Sequence, residues 1–314
     1  MSARRFVFVG VTTSDSSIMG IFPRWRHVLG LDPSVEMAGH DIPVGAPHER
    51  YREAVESLHG DPRVLGALVT THKIGIYEAA GDLFAELDDL ARLCGEVSCI
   101  AKRHGALLGW AKDPIAAGRA LERILAPAHF RDGGGHVLCM GAGGSGTAIA
   151  LYLTARRGDN PARLIVTDRS SERLSRLAKV LERIETDSAV ELVDSSAAGR
   201  HDDLLAGLPP RSLVVNATGM GKDIAGSPLG PQARFPEQAV VWEVNYRGQL
   251  DFLRQAREQS AERNLIVEDG WTYFIHGWTS VMEEVFERPI SEDELDLLAA
   301  EAAPTRPVQA KEER

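Results

Sequence analysis

The chain of 314 residues is short of several things, and each shortage removes a class of function. Cysteine occurs three times, as Cys94, Cys99 and Cys139. These lack both the paired spacing of a zinc site and the density of a disulfide scaffold, so unbridged thiols in a reducing, cytoplasmic setting are expected. No histidine spacing suits a ligand set, and no metal is expected. Basic side chains are outnumbered, 35 Lys and Arg against 45 Asp and Glu, for a net charge of −10. No basic block is interleaved with aromatics, which argues against a nucleic-acid partner. No apolar run is long enough to span a bilayer, and the one inside "MSARRFVFVGVTTSDSS" is too short for a secretory leader, so no membrane partner is expected either. The segment 301–314, "EAAPTRPVQAKEER", reads as a disordered tail.

What remains has the composition of an ordinary globular protein, 44% hydrophobic and 25% charged, and length enough for two cores. Residues 116–270 alternate short apolar runs with amphipathic stretches. "HVLCM" is followed by "GTAIALYLTARRG", "RLIVTD" by "SERLSRLAKVLERI", then come "VELVD", "SLVVNAT", "AVVWEV" with "LDFLRQAREQ", and "NLIVED". This is the grammar of a doubly wound parallel sheet. Residues 1–115 are less regular, with strand-like "RFVFVGV", "VLGALVT" and "VSCIA" among helices, and read as a separate α/β domain. "DPIAAGRALERIL" supplies the helix between the two. Glu78 to Leu90 reads as one helix, with Ala79, Leu83, Leu87 and Leu90 at helical spacing. Lys73 then stands between the end of a strand and a helix, where it is either a solvated lysine or a chemical group.

The strongest local signal is "VLCMGAGGSGTAIALYL". Gly141, Gly143 and Gly146 form G-x-G-x-x-G directly after a strand and opening a helix, the context a dinucleotide site requires. Gly141 permits the tight turn, Gly143 lets backbone N–H groups approach a pyrophosphate, and Gly146 allows close helix–strand packing. Asp168 follows Gly146 by 22 residues, near the spacing of an acid that accepts from the adenine ribose hydroxyls. That placement favours NAD, while Arg169 beside it leaves NADP open, and Asp168 as a helix cap near Ser170 is the competing reading.

These pieces in this order resemble the shikimate dehydrogenase superfamily, which includes the quinate/shikimate dehydrogenases, from Phe6 to about Arg288. "GVTTSDSSIMGIFPRW" matches the family's opening strand and serine clamp, with the first clamp serine at Ser16. "ALVTTHK" matches N-V-T-x-P-x-K, "GEVSC" matches G-A-x-N-T, and "GWAKDP" matches G-x-N-T-D-G. The resemblance implies an N-terminal α/β substrate domain completed by helices within 271–300, a Rossmann-type domain, and a cytoplasmic enzyme that is a monomer or homodimer. It implies hydride transfer between a nicotinamide and a secondary alcohol or ketone on a small cyclic polyol or hydroxy acid. It places the proton-transfer pair on Lys73 and Asp113, and substrate contacts on Ser16, Ser98, Tyr246 (in "WEVNYRG") and His276. It places cofactor contacts on Gly141, Gly143, Gly144, Ser145, Gly146, Asp168 and Arg169. Asn216, Thr218 and Met220 in "NATGMG" and Gly270 in "EDGWTYFIHGW" complete that set.

Departures from the family pattern concentrate on substrate recognition. The second clamp serine becomes Ile18, the asparagine and threonine of N-V-T become Ala67 and Val69, the asparagine of G-A-x-N-T becomes Ser98, and the glutamine of the last motif becomes Gly277. Losing donors that hydrogen-bond a substrate shifts specificity strongly. Lys112 is a candidate to receive a carboxylate in their place, and Trp110, Tyr273 and Trp278 to wall the pocket. The alternative to an enzyme is a catalytically inactive homologue that binds a dinucleotide and acts as a ligand sensor.

Overall fold

The computed structural model describes residues 3–133, 135–222 and 224–307. They divide into two compact units, residues 3–112 with Ile275–Arg306, and Asp113–Phe274.

The first unit holds a mixed sheet of β1 (Arg4–Gly10), β2 (Val35–Asp41), β3 (Val64–Val69), β4 (Phe84–Leu87), β5 (Cys99–Arg103) and β6 (Ala106–Trp110), in the order β2-β1-β3-β5-β6-β4. The three N-terminal strands pair in parallel, and β5 runs antiparallel to both β3 and β6. Gly66 lets β3 and β5 meet closely, since a Cβ there would lie 2.3 Å from the Ile100 carbonyl oxygen.

The single helix expected over Glu78–Leu90 does not form. A helix Lys73–Ala80 passes through a 3-10 turn at Gly81–Leu83 into β4, and a new helix Asp89–Cys94 follows. The side chain of Asp88 caps that new helix, accepting from the Ala91 N–H at 2.7 Å. Leu87, one of the residues at helical spacing, instead pairs with β6 together with Phe84, and both pack on the core of this sheet. Tertiary pairing overrides a short periodic signal here. The C-terminal segment also departs from expectation. Helix Glu292–Ala302 opens with a capping box at Ser291 and ends in a 3-10 turn, Ala303–Thr305. The Trp25 indole donates to the Leu298 carbonyl at 2.7 Å, which ties this helix to helix Ile18–Val28. Of the expected tail, residues 308–314 lie outside the described residues.

The second unit is the doubly wound sheet that the alternation anticipates. Strands β7 (Val137–Met140), β8 (Arg163–Asp168), β9 (Ala189–Asp194), β10 (Leu213–Asn216), β11 (Val240–Glu243) and β12 (Ile266–Glu268) pair in parallel in the order β12-β11-β10-β7-β8-β9. β7, β10 and β11 are buried at every position, as parallel strands covered on both faces must be. Val137, Cys139, Val215 and Trp242 face a core shared with helices Asp113–Ile124 and Gly144–Ala155, while Leu138, Met140, Val214 and Val241 pack with Phe235 and Phe252. The strand order reverses between β7 and β10. Ligands of such sheets bind at the carboxyl ends of the strands flanking that reversal.

Candidate active site

At the reversal the glycine-rich turn has the shape its sequence requires. Gly141 has φ 108°, and a Cβ on it would lie 2.5 Å from the Ala217 carbonyl oxygen at the exit of β10. Gly146 packs so tightly that a Cβ would lie 1.9 Å from the Gly141 carbonyl oxygen. Gly143, the N-cap of helix Gly144–Ala155, faces open space, with nothing within 4 Å of a Cβ placed there. Two glycines are therefore demanded by the protein's own packing, and the third leaves room for a ligand against the helix N-terminus. Gly144 and Ser145 form the first turn, where unpaired N–H groups favour an anion.

A cavity of about 260 Å³ adjoins this turn, lined among others by Gly141, Asp168, Arg169, Thr218 and Met220, all expected from the sequence. Its remaining lining includes Arg173, Arg200 and His201, which sequence reasoning missed. Arg173 carries a readable signal, standing one helical turn beyond Arg169; Arg200 and His201 come from the far side of β9 and carry none. Asp168 lines the cavity with its carboxylate already partly engaged. One carboxylate oxygen accepts from the Ala142 N–H at 2.9 Å and the other from the Ser170 N–H at 2.9 Å, with the Arg173 guanidinium 3.7 Å away. The carboxylate thus clamps the glycine-rich turn to the end of β8. His201 is held by Thr167 at 2.8 Å and by the Pro228 carbonyl at 3.0 Å, and burial pushes its pKa down. A neutral ring that donates from Nδ1 to the carbonyl and accepts at Nε2 from the hydroxyl satisfies both contacts.

On the other side of the reversal the segment Asn216–Met220 is knotted by side chains. Asn216 Oδ1 accepts from the Thr218 N–H at 3.1 Å and its hydroxyl at 2.7 Å, and the Thr218 hydroxyl oxygen accepts from the Met220 N–H at 3.1 Å. Asn216 lies beneath the cavity, fully buried, rather than lining it. Gly270 is a packing residue at the start of helix Trp271–Val285, because a Cβ there would lie 1.8 Å from the Val244 carbonyl oxygen. Tyr246 joins an aromatic trio with Trp271 and Phe274, at centroid distances of 5.4 and 4.7 Å.

The remaining candidates belong to the first unit, apart from Asp113, the opening residue of the second. Lys73 is half-buried at the start of helix Lys73–Ala80, and its carbonyl accepts from the Val97 N–H at 3.1 Å. Asp113 is half-buried and opens helix Asp113–Ile124. The two residues before it are pinned by their amides, Ala111 to Asp88 at 3.1 Å and Lys112 to the Ser98 hydroxyl at 2.7 Å. Ser98 is buried and its hydroxyl also lies 3.4 Å from the Trp110 carbonyl, so it serves the backbone of this corner. Ser16 is half-buried ahead of helix Ile18–Val28, and Ile18 is fully buried. His276 is buried on helix Trp271–Val285, and its neighbour Gly277 has open space where a side chain would extend.

The residues expected to replace the lost substrate contacts are otherwise engaged. Lys112 is 8% exposed and its Nζ meets Glu284 Oε1 at 2.5 Å, so its charge is already neutralised. Trp278 packs edge-on to Phe6 and Phe8, and Tyr273 edge-on to Trp242, as core residues. Trp110 lies under the Arg103 guanidinium at 5.3 Å. All three cysteines are free and buried, and burial pushes Cys139 up to about 12. Among the described residues no cluster of His, Cys, Asp or Glu could hold a metal ion, and no helix is long and apolar enough to cross a membrane.

No family model matches the chain. A shikimate dehydrogenase (NADP(+)) of Symbiobacterium thermophilum is 31% identical over 248 residues, 77% of each chain. A 5-ketofructose reductase from Gluconobacter superposes with a TM-score of 0.71 at 20% identity, covering 97% of this chain and 99% of that one. The quinate dehydrogenase of Corynebacterium glutamicum, solved with NAD, gives a TM-score of 0.71 at 19% identity, covering 97% and 100%. With a curated relative of that identity and coverage, and a glycine-rich turn at the reversal of a doubly wound sheet, the chain belongs to the shikimate dehydrogenase family of NAD(P)-dependent oxidoreductases acting on CH–OH groups.

Proposed function

We propose that this family member uses NADP(H) in preference to NAD(H) and acts on a ring alcohol or ketone of a small cyclic hydroxy compound other than shikimate, with Lys73 and Asp113 handling the proton. The observation that carries the cofactor preference is the cavity beside the glycine-rich turn. Arg169, Arg173 and Arg200 line it, and the Asp168 carboxylate that would select NAD already accepts from two backbone N–H groups. Guanidinium groups suit a 2′-phosphate through charge-assisted hydrogen bonds. The NADP(+) specificity in the name of the Symbiobacterium relative points the same way.

The nicotinamide, when bound, supplies the hydride acceptor or donor. The chain's part is to manage the hydroxyl proton and hold the substrate. Lys73, on a strand-to-helix corner, is suited to hydrogen-bond the reacting oxygen, taking its proton during oxidation and returning it during reduction. Asp113, on a corner stiffened by Asp88 and Ser98, is suited to orient that lysine and to accept from a neighbouring substrate hydroxyl. The substrate reading rests on three altered positions. Ile18 is fully buried, Ser98 is committed to the backbone, and Gly277 leaves space. Fewer fixed donors and more room fit a ring with fewer hydroxyls or a larger substituent. A 5-ketofructose reductase shares the fold, which supports a substrate other than shikimate.

The test is initial-rate kinetics with NADP+ and NAD+ against shikimate, quinate, other cyclic hydroxy acids and aminocyclitols. We expect kcat/KM to be higher with NADP+ and the best substrate to differ from shikimate. Efficient shikimate oxidation, at roughly 10⁴ M⁻¹s⁻¹ or more, would overturn the substrate reading. A preference for NAD+ would overturn the cofactor reading. Dinucleotide binding without turnover on any compound would favour a ligand-sensing homologue.

A further inference from the structure

Glu243 is the last residue of β11 and is fully buried, yet no catalytic or binding role has fallen to it. It pairs in register with Asn216 at the end of β10. One carboxylate oxygen accepts from the Asn216 amide at 2.6 Å. The other accepts from the Asn245 N–H at 2.8 Å and the Asn245 side-chain amide at 2.6 Å. Both amides also reach the Met220 carbonyl, at 3.3 and 3.4 Å. Because Asn216 gives its nitrogen to Glu243, its oxygen is oriented toward Thr218, which in turn holds Met220. A single carboxylate therefore fixes the rotamer of Asn216 and, through it, the turn whose Thr218 and Met220 line the dinucleotide cavity.

We propose that Glu243 is the positioning residue of the dinucleotide site, and that its ionised form holds the Asn216–Met220 turn in the shape that binds the cofactor. The inference rests on the cofactor part of the function proposed above. The neutral amides of Asn216 and Asn245 face the carboxylate from β10 and from its own strand's exit. From the β12 side the buried carboxyl of Asp269 opposes its ionisation, and Lys222 and Arg247 stand on the adjoining loops. Burial is the largest cause and Asp269 adds to it, so the Glu243 pKa is pushed up to about 7, against the lowering effect of the amide hydrogen bonds. The charge needed to hold the turn is thus gained and lost near neutral pH. A protonated carboxyl must donate one hydrogen, and the groups around it are donors, so protonation breaks at least one contact of the network.

The experiment measures NAD+ binding calorimetrically to the full chain as wild type, Glu243→Gln and Glu243→Asp, between about pH 8 and about pH 6, with the melting temperature recorded for each. NAD+ is used because it lacks the 2′-phosphate, which itself titrates in this range. Wild-type Kd should rise toward acid by up to about tenfold, the limit over this range for one linked proton on a group with a pKa of about 7. Glu243→Gln keeps the shape but sets an amide donor against an amide donor. Its Kd should be about tenfold weaker at the alkaline end and independent of pH. Glu243→Asp keeps an ionisable group and should restore a pH dependence at intermediate affinity. A Glu243→Gln variant that melts earlier but keeps the wild-type Kd and its pH dependence would reduce the residue to a structural role and overturn the proposal. Wild-type protein that binds neither NAD+ nor NADP+ at any pH would instead overturn the cofactor reading, and this inference with it.

Discussion

Replacing Asp168 by asparagine separates two accounts of the same residue. If its carboxylate selects NAD by accepting from ribose hydroxyls, removing the charge should improve NADP use and leave the protein otherwise intact. The structure gives a different expectation. The carboxylate accepts from Ala142 in the glycine-rich turn and from Ser170 at the start of helix Ser171–Leu181, each at 2.9 Å, and is only 10% exposed. Asparagine can satisfy one of these N–H groups, and its own amide then points at the other. Losing a hydrogen bond to a charged acceptor and leaving a buried donor unmet costs about 1.5–3 kcal/mol. For a unit of this size that lowers Tm by roughly 3–10 °C. The turn loosens for every dinucleotide, so Kd should rise by about tenfold or more for both NAD+ and NADP+. Calorimetric titration of each cofactor, alongside thermal melting, reads both effects. A selective gain in NADP+ affinity with unchanged Tm would refute the clamp and restore Asp168 as the NAD selector.

Three further outcomes follow from the same geometry. Arg169→Ala should raise KM for NADP+ by roughly 10–100-fold through loss of a charged phosphate contact, with little change for NAD+, as steady-state kinetics with each cofactor would read. Lys112→Met alone should destabilise by about 1.5–3 kcal/mol by removing one of the two cations on the Glu284 carboxylate, which keeps Arg103 at 3.4 Å, whereas Lys112→Met with Glu284→Leu should recover part of that loss, read from urea unfolding. Ile18→Ser combined with Gly277→Gln should increase shikimate kcat/KM by about tenfold or more, since both return a polar side chain to a clamp position, as an initial-rate comparison with wild type would show.

The doubly wound sheet was legible because its strands are buried on both faces and punctuated by crossover helices, so composition and period agree. The glycine-rich turn was legible for the same reason: Gly141 and Gly146 are required by close backbone approaches that leave a mark in the sequence. The helix expected at Glu78–Leu90 failed because a short apolar run such as Leu83 and Leu87 keeps helical spacing even where Leu87 pairs with Gly109 of β6, 22 residues downstream. Asp168 shows a subtler limit. A carboxylate at a strand end can accept from a ligand or from its own turn, and sequence spacing is the same for both. Arg200 and Glu243 had no signal at all. One reaches the cavity from the exit of β9, and the other acts through Asn216, 27 residues earlier in the chain.

The most direct test of the account is the effect of Lys73→Ala on kcat with the best substrate found, alongside NADP+ affinity measured by calorimetry. Positioned acid–base groups contribute about 10²–10⁴-fold, so kcat should fall by that order. The glycine-rich turn and the arginine-lined cavity belong to the other compact unit, so Kd for NADP+ should stay within about twofold of wild type. A variant that keeps near-normal kcat would show that Lys73 does not transfer the proton and would contradict the account.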